Sequence, residues 1–210
     1  MKRAFFTIFL LLSVVGLANS QTFYGTTDLK TFREGRENEF RNKTETPLKD
    51  EDFAEFKGLN YFPENKKFVV KATFKRTSDE RYFQMPTSSG KSKKFIKYGV
   101  LSFKLNGKKL SLNVYQADAE VLKKNPEYAD LLFIPFKDLT NGTKTYSGGR
   151  YVDIKTPTDN EVILNFNLAY NPNCAYGSDR YNCPIPPKEN ALQIKIEAGE
   201  KIYKDSNGKH

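Results

Sequence analysis

The side chains best suited to hold a ligand fall in two short stretches of the second half of the chain. Gly149-Arg-Tyr-Val-Asp-Ile154 supplies Arg150 and Asp153, and Asn165-Phe-Asn-Leu-Ala-Tyr-Asn171 supplies Asn165, Asn167, Tyr170 and Asn171. A guanidinium, a carboxylate and two amides that converge in a cavity fix a carboxylate, a phosphate or a sugar. Successive side chains of a strand alternate between faces, so Arg150 goes with Val152 and Ile154, Asp153 with Tyr151, and Asn165 and Asn167 with Ile163. In a barrel lined with polar groups this set faces the lumen. If Val162, Leu164 and Phe166 fill the core instead, the asparagines lie outside. They then cap turns through backbone hydrogen bonds, while Arg150 and Asp153 form one ion pair. The spacing is compatible with either arrangement.

Catalysis has a single chemical route. The only histidine is His210, the last residue, so the fold itself has no His-based triad, no His-ligated zinc and no imidazole proton shuttle. Nucleotide-binding glycine patterns are absent, and Ser147-Gly-Gly149 reads as a turn. Paired carboxylates remain, such as Asp138 with Asp153 or Asp153 with Glu189, and two acids about 5 to 10 Å apart cleave a glycosidic bond. Such pairs arise by chance in a chain with 25 acidic residues. A non-catalytic binding or structural module of the cell envelope is therefore expected first, with a glycan hydrolase as the alternative. No metal and no cofactor are expected.

The compartment follows from the first twenty residues. Met1-Lys-Arg3 is basic, Ala4 to Leu17 is almost unbroken apolar chain, and Ala18-Asn-Ser20 presents small residues. This order predicts a signal peptide over 1–20, cleaved before Gln21, and a destination outside the cytoplasm: a periplasmic or secreted protein with no membrane insertion afterwards. Loss of Lys2 and Arg3 lowers the formal charge from +9 to +7. A basic exported surface favours anionic partners, a glycan or a lipid surface among them, and an unknown small molecule is the other candidate partner. No module for nucleic acid is visible. Cys174 and Cys183 are the only cysteines, and in an oxidising space their default is a disulfide. Free thiols and metal ligation are the rivals, the latter short of two ligands.

The elements that must position these residues are legible in outline. Leu29, Phe32, Arg36 and Phe40 form one helical stripe between Asp28 and Asn42, capped by Thr27 or Asp28. Asp50 to Gly58 reads as a second short helix with an acidic first turn and a terminal glycine. From Lys67 the period becomes two. Asn106-Gly107 between Val100–Leu105 and Lys108–Tyr115 specifies a two-residue hairpin turn, pairing Leu105 with Lys108, Phe103 with Leu110 and Leu101 with Leu112. Leu131–Phe136 is a strand that Pro135 assigns to an edge or a bulge. Gly149–Ile154 and Glu161–Asn167 are expected to pair around Thr156–Asn160, and Ala191–Glu197 is a late, isolated strand. The fold class is thus mainly β with N-terminal helices, an antiparallel meander closing into a small barrel or a sandwich. Residues 21–48 form the amphipathic helix and linker, 49–203 a single β-rich domain, and 204–210 a flexible tail.

Three blocks carry a family resemblance. They are Phe133-Ile-Pro-Phe-Lys-Asp138 with Thr140, Gly142, Thr145 and Tyr146; Gly149-Arg-Tyr-Val-Asp153; and Asn165-Phe-Asn167 through Ala169-Tyr-Asn-Pro172, Cys174, Ala175, Cys183-Pro184, Pro186-Pro187 and Glu189-Asn190. With Ala198-Gly-Glu200 they make the stretch from Phe53 to Lys201 resemble the bacterial family known as domain of unknown function 1684. The resemblance implies no activity. It also implies that a small β segment found in many relatives is missing here, since only Thr44 to Asn65 could hold it.

Overall fold

In a computed structural model of the chain, residues 24–78, 81–178 and 180–203 are described. The expected signal peptide, its cleavage point, Asp179 and the tail 204–210 lie outside them. The first helix, α1 (Leu29–Arg41), is capped by Asp28, whose carboxylate accepts from the Thr31 amide at 2.7 Å. Its buried residues are Phe32, Arg36 and Phe40, which places an arginine in the middle of the stripe that meets the protein. The second, α2 (Asp50–Ala54), stops four residues before Gly58. Gly58 has a φ of +140°, outside the left-handed cap region, because Leu59 turns its amide back to Glu37 Oε1 at 2.7 Å. Between Thr44 and Asn65 the chain contributes only α2 and an isolated bridge from Tyr61 to Glu200.

Seven strands follow: β1 (Val69–Arg76), β2 (Phe83–Pro86), β3 (Ser92–Leu105), β4 (Lys108–Ala117), β5 (Leu131–Phe136), β6 (Arg150–Lys155) and β7 (Glu161–Asn165). A helix α3 (Ala119–Lys124) lies between β4 and β5. The order across the sheet is β6-β5-β4-β3-β1-β7, with β2 on the first half of β3, and every named strand pair is antiparallel. The sheet curls into a half-barrel. At its best-specified point, Asn106 (φ 53°) and Gly107 (φ 74°) make the turn, and Phe103 stands opposite Leu110 as the apolar pattern requires.

A register shift between Lys97 and Gly99 divides β3 into two halves. One extra residue reverses which side chains face which way, so Leu101, Phe103 and Leu105 enter the inner core while Phe95 turns to the outer face. Gly99 sits at this bend because Phe74 packs on it: a Cβ there would lie 2.4 Å from Phe74 Cε2. The inner core also takes Val70, Ala72 and Phe74 of β1, Leu132 and Ile134 of β5, Val152 and Ile154 of β6 and Leu164 of β7. A separate outer-face cluster joins Met85, Phe95 and Tyr115 with Phe83, Ala117 and Phe133. Both faces of this end of the sheet are therefore covered.

Three sequence expectations are corrected. β6 and β7 do not pair with each other. They are consecutive in the chain but lie at opposite ends of the sheet, β6 on β5 and β7 on β1, so Thr156–Asn160 crosses the open seam of the half-barrel. β5 is an interior strand, not an edge. Pro135 is accommodated because β4 and β5 pair only at Tyr115 and Phe133. Beyond that point the Asn190 side chain enters the gap, donating to Pro135 O (2.7 Å) and Asn113 O (2.9 Å) and accepting from the Asn113 amide (2.8 Å). Ala191–Glu197 alternates as a strand should, with Leu192, Ile194 and Ile196 buried, yet makes no ladder. It runs beside residues 137–139 through one isolated parallel bridge, Lys137 to Ala191, with three backbone hydrogen bonds: the Lys137 amide to Asn190 O (3.0 Å), the Leu192 amide to Lys137 O (2.8 Å) and the Leu139 amide to Ile194 O (2.9 Å).

Candidate functional site

Beyond these backbone bonds, the side chain that holds the C-terminal segment is Arg150. It is fully buried and donates to the carbonyls of Ile196 (2.8 Å), Ala198 and Glu200 (3.2 Å), while its other contact is Asp138 Oδ2 at 2.9 Å. Asp138 Oδ1 accepts from the amides of Ile196 (3.1 Å) and Thr140 (2.8 Å), so the pair grips the segment from donor and acceptor sides together. Burial pulls the Arg150 pKa down, and the Asp138 charge opposes that. The guanidinium points to the inner face and Asp153 to the outer one, so Arg150 and Asp153 do not meet, and neither do Asp138 and Asp153.

The three asparagines also bind chain to chain. Asn165 Oδ1 accepts from the Asn167 amide (3.0 Å) and side chain (2.9 Å), capping the 3-10 turn Phe166–Leu168. Asn167 is buried, and its amide group pairs with both backbone groups of Asn65, at 2.9 and 3.0 Å, as one peptide would pair with another. Asn171 donates to Lys201 O at 2.7 Å and to both oxygens of Glu200 through its backbone and side chain.

Asp153 and Tyr170 are brought together. Tyr170 exchanges both backbone hydrogen bonds with Tyr151, 2.9 Å each, which closes one end of the seam, and its hydroxyl donates to Asp153 Oδ2 at 2.5 Å. These two residues border a cavity of about 420 Å³ on the outer face of the sheet. Its floor is Phe95, Ala117, Phe133, Tyr151 and Asp153. Its walls are Tyr24, Tyr170, α3 and the following turn (Leu122 and Tyr128), and the segment Tyr181–Pro184. Seven aromatic rings of the described residues line it. They brace one another: Phe133 meets Tyr151 edge-on at 4.7 Å, Tyr151 meets Tyr170 at 5.7 Å, and Tyr24 leans on Tyr170 at 5.3 Å.

The disulfide shapes one wall. Cys174 and Cys183 are joined, S–S 2.10 Å, and Tyr151 Oη donates to Pro184 O at 2.5 Å just beyond. The Ser88 amide donates to Cys183 O at 2.9 Å, tying the β2–β3 turn to the same loop. Tyr176, inside the loop, packs against Phe40 of α1 at 4.6 Å and Tyr203 at 5.1 Å, not against the end of β7.

Among the described residues Asp153 is the only acid in the lining, and burial pushes its carboxyl up to about 6 against the opposing pull of the Tyr170 hydrogen bond and Arg36. Behind the wall lies an ionic cluster that sequence reasoning did not anticipate. Arg36, fully buried, donates to Glu39 Oε2 (2.9 Å) and Tyr24 Oη (3.1 Å) and lies 3.6 Å from Glu200 Oε2. Its guanidinium also covers the Tyr170 ring at 5.1 Å. Glu200 is buried as well, receives the Tyr176 hydroxyl, and is pushed up to about 7 by burial. The signal available for this cluster was Arg36 itself, a cation on an otherwise apolar stripe, which calls for a buried acid. Among the described residues no three His, Cys, Asp or Glu side chains gather into a metal-ligand set, and no helix is long and apolar enough to cross a membrane.

A curled antiparallel half-barrel, plugged by an extended C-terminal segment and carrying an aromatic cavity on its outer face, is the class that the architecture defines. The chain belongs to the family described as protein of unknown function (DUF1684), which matches residues 54–201; α1 precedes the match. It is similar to the solution NMR structure of an uncharacterized protein of Haloarcula marismortui, at 32% identity, covering 82% of this chain and 91% of that one with a TM-score of 0.66. No curated protein matches.

Proposed function

We propose that the protein is an exported, non-catalytic binding domain of the cell envelope, and that it holds a small molecule in the outer-face cavity. The observation that carries this reading is the cavity's lining. A volume of about 420 Å³ walled by aromatic rings, with a single acid on its floor, has the composition of a ligand pocket. Paired-acid glycoside cleavage needs a second carboxylate across the scissile bond, and the described lining residues include none. Arg150, Asn165, Asn167 and Asn171 serve this reading indirectly, by holding the segments that carry Tyr170 and the disulfide wall.

Native mass spectrometry of the purified chain is the test. The expected result is a small-molecule adduct, present on purification or taken up from a mixture of fragments, that is released on denaturation. Ala117→Phe, which fills the floor, should abolish the adduct while the far-UV circular dichroism is unchanged. A chain that neither carries nor acquires an adduct, or an adduct indifferent to Ala117→Phe, contradicts the reading. Cleavage of envelope glycans by the wild-type chain, lost in Asp153→Asn, supports the hydrolase instead.

A further inference from the structure

We propose that the cavity takes an organic amine, with its hydrocarbon body among the aromatic walls and its ammonium against Asp153. This rests on the binding reading above and assigns the ligand class. The first observation is the carboxylate's incomplete partnership. Tyr170 satisfies Oδ2 at 2.5 Å, and Oδ1 accepts no hydrogen bond among the described residues. A donor entering the cavity therefore meets an acceptor that the protein leaves open.

The second observation is the charge balance of the floor. The buried cation whose charge acts on Asp153 is Arg36, and its ion pairs are with Glu39 at 2.9 Å and Glu200 at 3.6 Å. One guanidinium thus serves three acids. Burial keeps the Tyr24 and Tyr128 hydroxyls protonated; at Tyr24 the Arg36 charge opposes this and Glu39 and Asp153 reinforce it, and at Tyr128 Glu127, Glu39 and Asp153 reinforce it in that order. An ammonium supplies the missing positive charge. A hydroxyl leaves the deficit in place, and an anion deepens it.

The third observation is the wall itself. Tyr24, Phe95, Tyr128, Phe133, Tyr151 and Tyr170 present ring faces and edges to the space, and a cation gains from ring faces in a site with little water. Lys93 stands exposed among the lining residues and disfavours a second positive charge at the outer end. The ligand class is accordingly a monoamine with an apolar body.

The test titrates the full chain with phenethylamine, 2-phenylethanol and phenylacetate, which share a ring and differ in the charge at the tip, and reads amide shifts by NMR. Phenethylamine should bind roughly tenfold more tightly than the alcohol, with the acid weakest. Shifts should centre on Phe95, Ala117, Phe133 and Asn182. Asp153→Asn should bring the amine down to the level of the alcohol, and Tyr128→Ala should weaken every probe that binds. If the alcohol or the acid shifts the cavity amides as tightly as the amine, or the amine is indifferent to Asp153→Asn, the amine assignment is overturned and the cavity reading stands. If no probe moves a cavity amide, both fall.

Discussion

Arg150 shows how a residue that looks like a ligand-binding group can be consumed by the fold. The carbonyls of Ile196, Ala198 and Glu200, which accept from its guanidinium, would otherwise be buried without a partner. Arg150→Met should therefore destabilise the protein by about 3–5 kcal/mol, because it also strands the Asp138 carboxylate. Urea unfolding checks this, and a loss below about 1 kcal/mol would mean that water replaces the guanidinium. Asn190→Ala removes the bridge between β4 and β5 and should cost roughly 2–3 kcal/mol by the same measurement. Sequence reasoning marked Arg150, Asn165, Asn167 and Asn171 as candidate ligand-binding groups. What it cannot supply is the partner: Asn167 meets Asn65 and Arg150 meets Ala198 across long stretches of chain. Alternation did separate Arg150 from Asp153, and the two are on opposite faces.

At the level of elements, the Asn106-Gly107 hairpin was legible because turn chemistry and apolar alternation fix the same register. β6 and β7 were misjoined because a short loop between two strands normally means a hairpin, whereas a curled sheet lets the same loop span the seam between its two ends. The run Leu131-Leu-Phe-Ile-Pro-Phe136 held a further clue, since an unbroken apolar strand is covered on both faces. Here the second face is the one that carries the cavity. The bulge in β3 has a testable steric origin. Gly99→Ala drives a Cβ against the Phe74 ring and to 2.8 Å from the Lys75 carbonyl and should cost about 1–3 kcal/mol, only the ring's share of it recovered in the double variant with Phe74→Leu. A cycle with no coupling energy would place the strain elsewhere. Cys174→Ser should cost about 2–4 kcal/mol of stability, which unfolding under non-reducing conditions measures.

Across the whole molecule, α1, the disulfide loop and the C-terminal segment converge on one buried charge cluster, and its titration couples them. The Glu200 carboxyl is raised from its unfolded value of 4.5 to about 7 by burial. The folded state therefore binds that proton more tightly. The stabilisation is fully present below about 4.5 and is lost as pH rises through about 7. Wild type should lose stability relative to Glu200→Gln over that window, read as the difference between the two urea midpoints. A wild type that gains on the variant as pH rises would show that the Arg36 charge controls Glu200 more than burial does. The same convergence positions Tyr24 and Tyr170 beside Asp153. The measurement that tests the account most directly is an NMR screen of the full chain with a small set of aromatic fragments. The account predicts perturbed amides around Phe95, Ala117, Phe133 and Asn182, lost in Ala117→Phe. Shifts confined to Ile163 and the seam between β6 and β7, or to the asparagines at 165, 167 and 171, would contradict it.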